Sequence, residues 1–482
     1  MTRWNMLVAK AVLIVLLAAG AQTAAASNWV PCSDPAEVIT IADEALAAVV
    51  RAELDRETGD LTCADMAGLR SLVASDRGIA RLDGLEHAVR LSRITARDNS
   101  IADLGPIAGL TRISRLYLRG NQIRDLAPLA GLTRLTHLEL RRNLVEGLGG
   151  LTGLPALRML DLRDNAIADL APLRTLPALR ELLLQNNSIV SAEPLAALRG
   201  LTELGLDGNQ LTSGEGLSLL TELETLTISN NQFRDLNFVF LLTKLRTLDA
   251  RGNQLTHVAA LRGLDALETL RLGRNQIADV RPLADLVTLR VLDLERNAIA
   301  SVNGLARLTE LESLNLVGNG LTQIASLGGL RRLTVLTLNA NDVEDITTLA
   351  NLTNLQRLDL RQNRIQDIGP LANLTNLRRL DLRQNQVEDT TPLNRLSELQ
   401  RLDLRQNRVE DITPLANLTE LQRIDLSRNR VTDISPLVGL TSLTRIAIDR
   451  NCLLLEGATG QHVARWLAEG VTVSFEPQDS CD

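Results

Sequence analysis

The chain is poor in aromatic residues. Its 482 residues include only four Phe, three Trp and one Tyr, although 45% of the chain is hydrophobic, so any core has to be built from aliphatic side chains. The length alone would suggest about three domains of ~150 residues each. Large globular domains with so few rings would be unusual, and the abundant aliphatic residues also exclude a disordered chain.

An excess of positive charge is missing as well. The chain has 51 Lys and Arg against 58 Asp and Glu, a net charge of −7. Proteins that bind nucleic acid, or that attach to membranes through basic residues, present a positive surface. We therefore expect no nucleic-acid partner.

The first 26 residues look like a secretory signal peptide. Arg3 and Lys10 precede an apolar run at 11–17, and small residues lead to an expected cleavage after Ala26. The alternative is a retained membrane anchor, but the run is shorter than the ~20 apolar residues that a span needs. No Cys follows the cleavage point directly, so a lipid anchor is not indicated. We expect an extracellular or periplasmic protein with no transmembrane segment once the signal is removed.

The four cysteines lie at the two ends of the chain and none lies in the long middle. In an exported protein we expect two local disulfides, Cys32 with Cys63 and Cys452 with Cys481. A bridge between the ends of an elongated molecule would exceed the reach of a disulfide. Zinc is the competing hypothesis, and the absence of a Cys-x-x-Cys pair weakens it.

A strict repeat occupies the rest of the chain. An asparagine recurs with a spacing of 22 residues, at 99, 121, 143, 165, 187, 209, 231, 253, 275, 297, 319, 341, 363, 385, 407, 429 and 451. Before Asn363, Leu358 and Leu360 alternate with polar residues, which is the period-two pattern of a short strand with one buried face. Proline at positions such as Pro370 indicates a short 3₁₀ or helical turn on the outer side.

These turns cannot bury their leucines singly, so each must pack against its neighbours. The sequence predicts an α/β leucine-rich repeat solenoid, a curved right-handed horseshoe with a concave parallel sheet of 17 or 18 strands. One degenerate turn precedes the first Asn, with Arg77 in the Asn position.

The Asn side chain both donates and accepts hydrogen bonds, so it can link one turn to the next. The functional alternative is a ladder for glycans or ions. We predict a structural role for the column, which includes Asn121, Asn165, Asn253, Asn363, Asn385, Asn407 and Asn429.

The repeats 365–377 (Ile-Gln-Asp-Ile-Gly-Pro-Leu-Ala-Asn-Leu-Thr-Asn-Leu) and 409–421 resemble the 22-residue repeat of the internalin family of bacterial surface proteins. The resemblance implies a helical N-terminal cap at 27–68, repeats at 69–451 and a helix-plus-strand cap at 452–482. It also implies a protein partner on the concave sheet. The chain departs from pathogen internalins because it shows no Leu-Pro-x-Thr-Gly wall-sorting signal.

The outward strand positions lie six, four and two residues before each Asn, and in the C-terminal third they form columns of like charge. The columns are Arg357, Arg379, Arg401, Arg423 and Arg445; Asp359, Asp381, Asp403 and Asp425; and Arg361, Arg383 and Arg405. They form either a self-neutralising charge network or a docking strip for an acidic protein surface or an anionic glycan.

A second basic group lies near the other end, with Tyr117 as its one aromatic residue. Because binding hot spots favour Tyr and Arg, we predict Tyr117 with Arg115, Arg119 and Arg141 as a local binding candidate; ordinary surface solvation is the alternative. Phe238 and Phe240 replace the usual Pro and Ala of an outer turn, as a convex contact patch or as fillers of a wider turn.

Catalytic motifs are absent from the sequence. The four histidines are scattered, and no H-E-x-x-H, G-x-S-x-G or P-loop occurs. We expect the Arg neighbours of the face carboxylates to lower their pKa values, which would make them poor acid catalysts. We predict no enzymatic activity, no metal and no cofactor.

The leading hypothesis is an exported, monomeric, non-enzymatic scaffold that recognises a protein partner through its concave face. The alternative is an envelope or matrix structural protein that binds an anionic polysaccharide through its Arg columns. A secreted inhibitor or immunity factor would fit the same residues as the leading hypothesis.

Overall fold

The computed structural model describes residue 32 and residues 34–479. Two helices, α1 (Glu44–Glu53) and α2 (Cys63–Met66), precede the repeats, and α3 (Ala458–Ala468) follows them. The predicted signal segment and Cys481 lie outside the described residues. Within that described part, no helix combines the length and the apolar character needed to cross a bilayer.

Nineteen strands of three residues form one parallel sheet in the described part of the chain. Each strand pairs with its neighbours in the sequence, so the order in the sheet follows the chain. The strands β1 to β19 are Ser71–Val73, Arg93–Thr95, Arg115–Tyr117, His137–Glu139, Met159–Asp161, Glu181–Leu183, Glu203–Gly205, Thr225–Thr227, Thr247–Asp249, Thr269–Arg271, Val291–Asp293, Ser313–Asn315, Val335–Thr337, Arg357–Asp359, Arg379–Asp381, Arg401–Asp403, Arg423–Asp425, Arg445–Ala447 and Thr472–Ser474.

The register of the sheet is the 22-residue repeat itself. Leu358 lies opposite Leu380, and Leu380 opposite Leu402. Each of these leucines is at most 2% exposed, because the middle residue of a strand points to the side opposite its two neighbours. The degenerate first turn supplies β1, and β19 pairs with β18 from beyond the last repeat. The predicted solenoid with a parallel sheet is confirmed, but the sheet has one strand more than the 17 or 18 predicted, because the segment after the last repeat adds β19.

Short 3₁₀ helices lie on the other side of the turns. They span Leu85–His87, Gly105–Ile107, Ala127–Leu129, Gly149–Leu151, Ala171–Thr175, Glu193–Ala197, Leu217–Leu219, Asn237–Leu241, Ala259–Leu261, Arg281–Leu283, Asn303–Leu305, Ala325–Gly329, Thr347–Asn351, Gly369–Asn373, Thr391–Arg395, Thr413–Asn417 and Ser435–Leu437. Where a proline is present it lies in the first positions of the turn, as Pro370 does, where a missing N–H costs nothing.

Each repeating Asn links its own turn to the preceding one. Asn363 Oδ1 accepts a hydrogen bond from the Val343 N–H at 3.0 Å, and Nδ2 donates to the carbonyls of Leu338 at 3.0 Å and Leu360 at 2.9 Å. These bonds satisfy backbone groups where the chain leaves the strand. The same arrangement recurs at Asn121, Asn165, Asn253, Asn385, Asn407 and Asn429.

The residue immediately before many of these asparagines has a left-handed backbone. Gly120 and Gly208 adopt this conformation without strain, whereas Arg296 (φ 49°) and Ala340 (φ 57°) adopt it with a Cβ. Sequence reasoning missed this requirement, although glycine, Asp or Asn at many of these positions was a signal for it.

The N-terminal cap is fastened to the first turn by Asp43. Its Oδ1 caps α1 by accepting from the Leu46 N–H at 3.0 Å, while Oδ2 accepts from the N–H groups of Ala80 at 2.8 Å and Arg81 at 3.1 Å. The predicted disulfide between Cys32 and Cys63 is present. The pairing of Cys452 with Cys481 stays a prediction, because Cys481 is outside the described residues.

Candidate binding face

The outward side chains of the strands form a continuous surface, here called the strand face. In leucine-rich repeats this side of the sheet is the concave one. At its C-terminal end, the first residues of β14 to β18 form what we call the arginine column: Arg357, Arg379, Arg401, Arg423 and Arg445. The third residues of β14 to β17 form the aspartate column: Asp359, Asp381, Asp403 and Asp425.

Strand pairing places the members of each column side by side. Arg379 lies opposite Arg357 and Arg401, and Asp381 lies opposite Asp359 and Asp403. The two columns line an open groove of about 360 Å³. The groove therefore has a row of hydrogen-bond donors beside a row of acceptors.

The aspartates bond to a third set of residues, the inner arginines Arg361, Arg383 and Arg405. Arg383 lies 3.3 Å from Asp381 and 3.9 Å from Asp403, and Arg361 lies 3.7 Å from Asp359. The Arg405 backbone N–H donates to Asp403 at 3.0 Å. These contacts form part of the predicted charge network.

The arginine column lies outside that network. Among the described residues, none of its five guanidinium groups has an ion pair or a side-chain hydrogen bond. The positive charges of Arg379 and Arg423 lower the pKa of Arg401, which lies between them. Within the described part of the molecule the guanidinium groups of the column thus have no ion-pair partner, and the column is available to an external anion.

Two carboxylates of the aspartate column, Asp403 and Asp359, have pKa values that differ from the prediction. Burial, together with the negative charges of Asp381 and Asp425, raises the pKa of Asp403 to about 6, although Arg383 and a backbone hydrogen bond oppose the change. Burial and the charge of Asp381 also raise the pKa of Asp359. The expectation that Arg neighbours lower these pKa values is wrong, because loss of water and repulsion along the column outweigh the arginines.

The N-terminal basic group is engaged in internal contacts. Arg97 donates to Glu139 Oε2 through Nη2 at 2.7 Å and Nε at 3.2 Å. Its guanidinium carbon lies 5.0 Å from the centre of the Tyr117 ring, a cation–π arrangement. Tyr117, the predicted local hot spot, is therefore already paired within the molecule.

Of the other three arginines predicted in this group, two form ion pairs and one does not. Arg119 lies 3.4 Å from Asp98, and Arg141 lies 2.9 Å from Asp164. Arg115 has no ion pair among the described residues; it faces His137, whose pKa is lowered by burial and by that arginine. The structure thus places the four predicted residues on one surface, but three of them already contact other side chains of the molecule.

The two outer phenylalanines have different roles. The Phe238 ring lies 5.5 Å from the buried Phe233 ring and fills the space above Gly214, where an added Cβ would lie 2.0 Å from the Phe238 ring. Gly214 lies where most other turns carry Leu, Ile or Val. The loss of this aliphatic side chain in one turn and the gain of Phe238 in the next could have predicted that the ring fills the space. Phe240 is 63% exposed.

The Cys32, Cys63 and His87 ligand atoms lie within 4.8 Å of one another. The two sulfur atoms are joined in a disulfide, so they offer no thiolate to a metal ion.

Comparison with known proteins agrees with this architecture. Residues 353–395 and 397–439 match the family model "Leucine Rich repeats (2 copies)", and residues 111–167 match "Leucine rich repeat". No curated protein matched the sequence.

Three solved structures illustrate the likeness. An internalin (InlF) of Listeria monocytogenes is 28% identical, with a TM-score of 0.51 over 80% of this chain and 95% of that one. A Leptospira interrogans leucine-rich repeat protein is 23% identical, with a TM-score of 0.64 over 86% and 97%. The ectodomain of the Arabidopsis thaliana receptor kinase GASSHO1/SCHENGEN3 is 24% identical, with a TM-score of 0.58 over 77% and 54%. The chain carries leucine-rich repeats, and its fold is similar to that of the internalins.

Proposed function

We propose that this protein is an exported, non-enzymatic scaffold that recognises a protein partner through its strand face. The observation that carries the proposal is the arginine column, five guanidinium groups in register that have no ion pair within the described part of the molecule. Desolvated arginines are common anchors of protein interfaces.

Two further observations support the proposal. The disulfide between Cys32 and Cys63 is typical of proteins from oxidising compartments. Among proteins of similar fold, the Arabidopsis receptor ectodomain was solved in complex with CASPARIAN STRIP INTEGRITY FACTOR 2. That complex belongs to the plant protein, and here it supports only the use of such a scaffold for binding.

A second candidate function is binding of an anionic polysaccharide by a structural protein of the envelope or matrix. The observation in its favour is the identical segment Arg-Leu-Asp-Leu-Arg-Gln-Asn, which begins at 357, 379 and 401. A face that repeats itself suits a polymer that repeats itself. A polymer held by charge should be released steeply as salt rises, whereas a packed protein interface should persist.

The test is affinity capture from the native envelope and medium with the exported protein. A parallel sample carries four Arg→Ser changes in the arginine column, at Arg357, Arg379, Arg401 and Arg423. A matched control carries four Arg→Ser changes at exposed positions off the strand face, at Arg134, Arg262, Arg331 and Arg395.

We expect a protein that the parent and the control both capture and that the column variant loses. Capture of a polysaccharide in place of a protein would favour the second candidate function. A protein that all three samples retain equally would contradict the assignment of function to this part of the face. Failure of the parent to capture any protein would contradict the scaffold function itself.

A further inference from the structure

We propose that the groove between the arginine and aspartate columns binds an extended acidic peptide segment that runs across β14 to β18. This inference rests on the proposed function and names the chemistry of the partner at that site.

The first support is the balance of charge around the groove. The arginine column and the inner arginines supply eight positive charges against four from the aspartate column, whereas the whole chain has a net charge of −7. A local surplus of this sign on an acidic protein attracts an anionic ligand to the groove. The five members of the column span about 19 Å at the ~4.8 Å spacing of neighbouring strands.

The second support is the hydrogen-bond character of the two columns. Arginine only donates hydrogen bonds, and an ionised aspartate only accepts them. An extended peptide meets both needs, since it carries acidic side chains along one edge and backbone N–H groups beside them. The carboxylates would face the arginine column, and the N–H groups would face Asp381 and Asp403.

The spacing is compatible with this arrangement. Alternate side chains of an extended peptide are about 6.6 Å apart, so three acidic residues fit within the ~19 Å of the column. Because neighbouring guanidinium groups are ~4.8 Å apart, each carboxylate lies within ~2.4 Å, measured along the column, of at least one of them. The planar fork of arginine can bridge to it there.

A uniform polyanion fits the groove less well. Charge around its whole circumference would place anionic groups against the aspartate column, where Asp403 already resists ionisation because of burial and its like-charged neighbours. The bottom of the groove offers no apolar pocket, because Leu358, Leu380 and Leu402 are at most 2% exposed. The groove therefore has to recognise a ligand by its pattern of charges.

The experiment measures binding of fluorescent peptides to the full-length protein by anisotropy at low and moderate salt. The probe peptide alternates Glu with Ser over seven residues. Its matched probes replace Glu by Gln, replace Glu by Lys, or keep Glu and methylate the backbone nitrogens that would face the aspartates. Polygalacturonate serves as a competing polyanion.

We expect the Glu peptide to bind and the Gln peptide not to bind. Arg379→Ser with Arg401→Ser should weaken the Glu peptide by at least about tenfold, the loss of two charge-assisted contacts. The matched control, Arg331→Ser with Arg395→Ser, should bind as the parent does. Methylation of the backbone nitrogens should also weaken binding. Because the methylated peptide keeps its charge, this loss would report the hydrogen bonds to the aspartates.

A charge exchange guards against a variant that merely misfolds. Arg379→Glu with Arg401→Glu should lose the Glu peptide and gain the Lys peptide. The inference is overturned if the arginine changes leave peptide binding unaltered, if backbone methylation has no effect, or if polygalacturonate binds more tightly than the peptide. A protein partner that is still captured by the column variant would overturn this inference alone, because the scaffold function would then lie elsewhere on the face.

Discussion

The two basic groups of the strand face contain similar residues and differ in what those residues contact. Near the N-terminus, Arg119 and Arg141 bond to Asp98 and Asp164, acidic residues in the left-handed position before the repeating Asn. In the C-terminal third that position holds glutamine or arginine, as at Gln362 and Arg428, so the inner arginines Arg361 and Arg383 pair with the aspartate column instead. The first residue of the strand has no ion pair among the described residues, either at Arg115 or in the arginine column. Availability for binding therefore depends on where an arginine lies in its strand more than on the number of arginines.

The largest expected effect tests whether the two regions share one core. Leu360 and Leu162 are equivalent residues, both fully buried. Changing either to Asp should cost more than about 4 kcal/mol, because it buries a charge among aliphatic side chains. Hydrogen exchange should show equal local loss of protection in both variants. A much smaller effect in one region would mean that the two regions differ in their hydrophobic cores as well as on the strand face.

The next effect concerns the Asn column. Asn363→Ala and Asn165→Ala each leave backbone groups of two turns unpaired. Each should lower the free energy of unfolding by roughly 1–3 kcal/mol, as measured by urea denaturation. Unchanged stability in either variant would show that the column is not structural in that region.

The aspartates of the two regions should respond to pH in opposite directions. The pKa of Asp403 is about 6, above its ordinary value of 3.8, so the folded state binds more protons than the unfolded state between these values. Stability from this group is full below pH 3.8 and is lost as pH rises through about 6. Asp403→Asn should therefore stabilise the protein at pH 8 by roughly 1–2 kcal/mol, because a tenfold change in proton affinity is worth ~1.4 kcal/mol and solvent screening reduces the total. No gain is expected at acid pH.

Asp164 provides the matched control. Burial alone would raise its pKa, but hydrogen bonds from Asn186 and Arg141 outweigh burial and lower it. Its contribution is present above pH 3.8 and is lost as pH falls through the lowered pKa. Asp164→Asn should destabilise the protein at pH 8 and have no effect in strong acid; thermal unfolding of both variants across this pH range would separate the two cases, and parallel profiles would refute them.

The smallest effect separates paired from unpaired arginines. Arg163 lies 2.6 Å from Asp161, whose side chain is 5% exposed. Arg163→Ser should cost roughly 1 kcal/mol, because it leaves this aspartate without its partner. Arg401→Ser should cost nothing and give a slight gain at low salt, since it relieves repulsion by Arg379 and Arg423. Equal losses in both variants would contradict the comparison.

The sequence predicts the solenoid well because its determinants are local and repeated. Alternation around Leu358 and the 22-residue spacing fix the strand, its buried side and its register. The left-handed position, by contrast, had to be recognised from scattered glycines such as Gly120.

The site was predictable only as a set of candidates. Columns of Arg and Asp follow from the repeat, but which arginines form ion pairs depends on side-chain reach between turns. The raised pKa of Asp403 depends on burial in the groove, which composition does not reveal. The packing of Phe238 over Gly214 needed the residues of two turns to be considered together.

Arginine-selective chemical modification, followed residue by residue by mass spectrometry with and without the captured partner, tests the central claim most directly. We predict that Arg379, Arg401 and Arg423 react fastest in the protein alone, that Arg97 and Arg163 react slowly, and that the partner protects the arginine column. Fast reaction of Arg97 and Arg163, or protection confined to residues off the strand face, would contradict the claim.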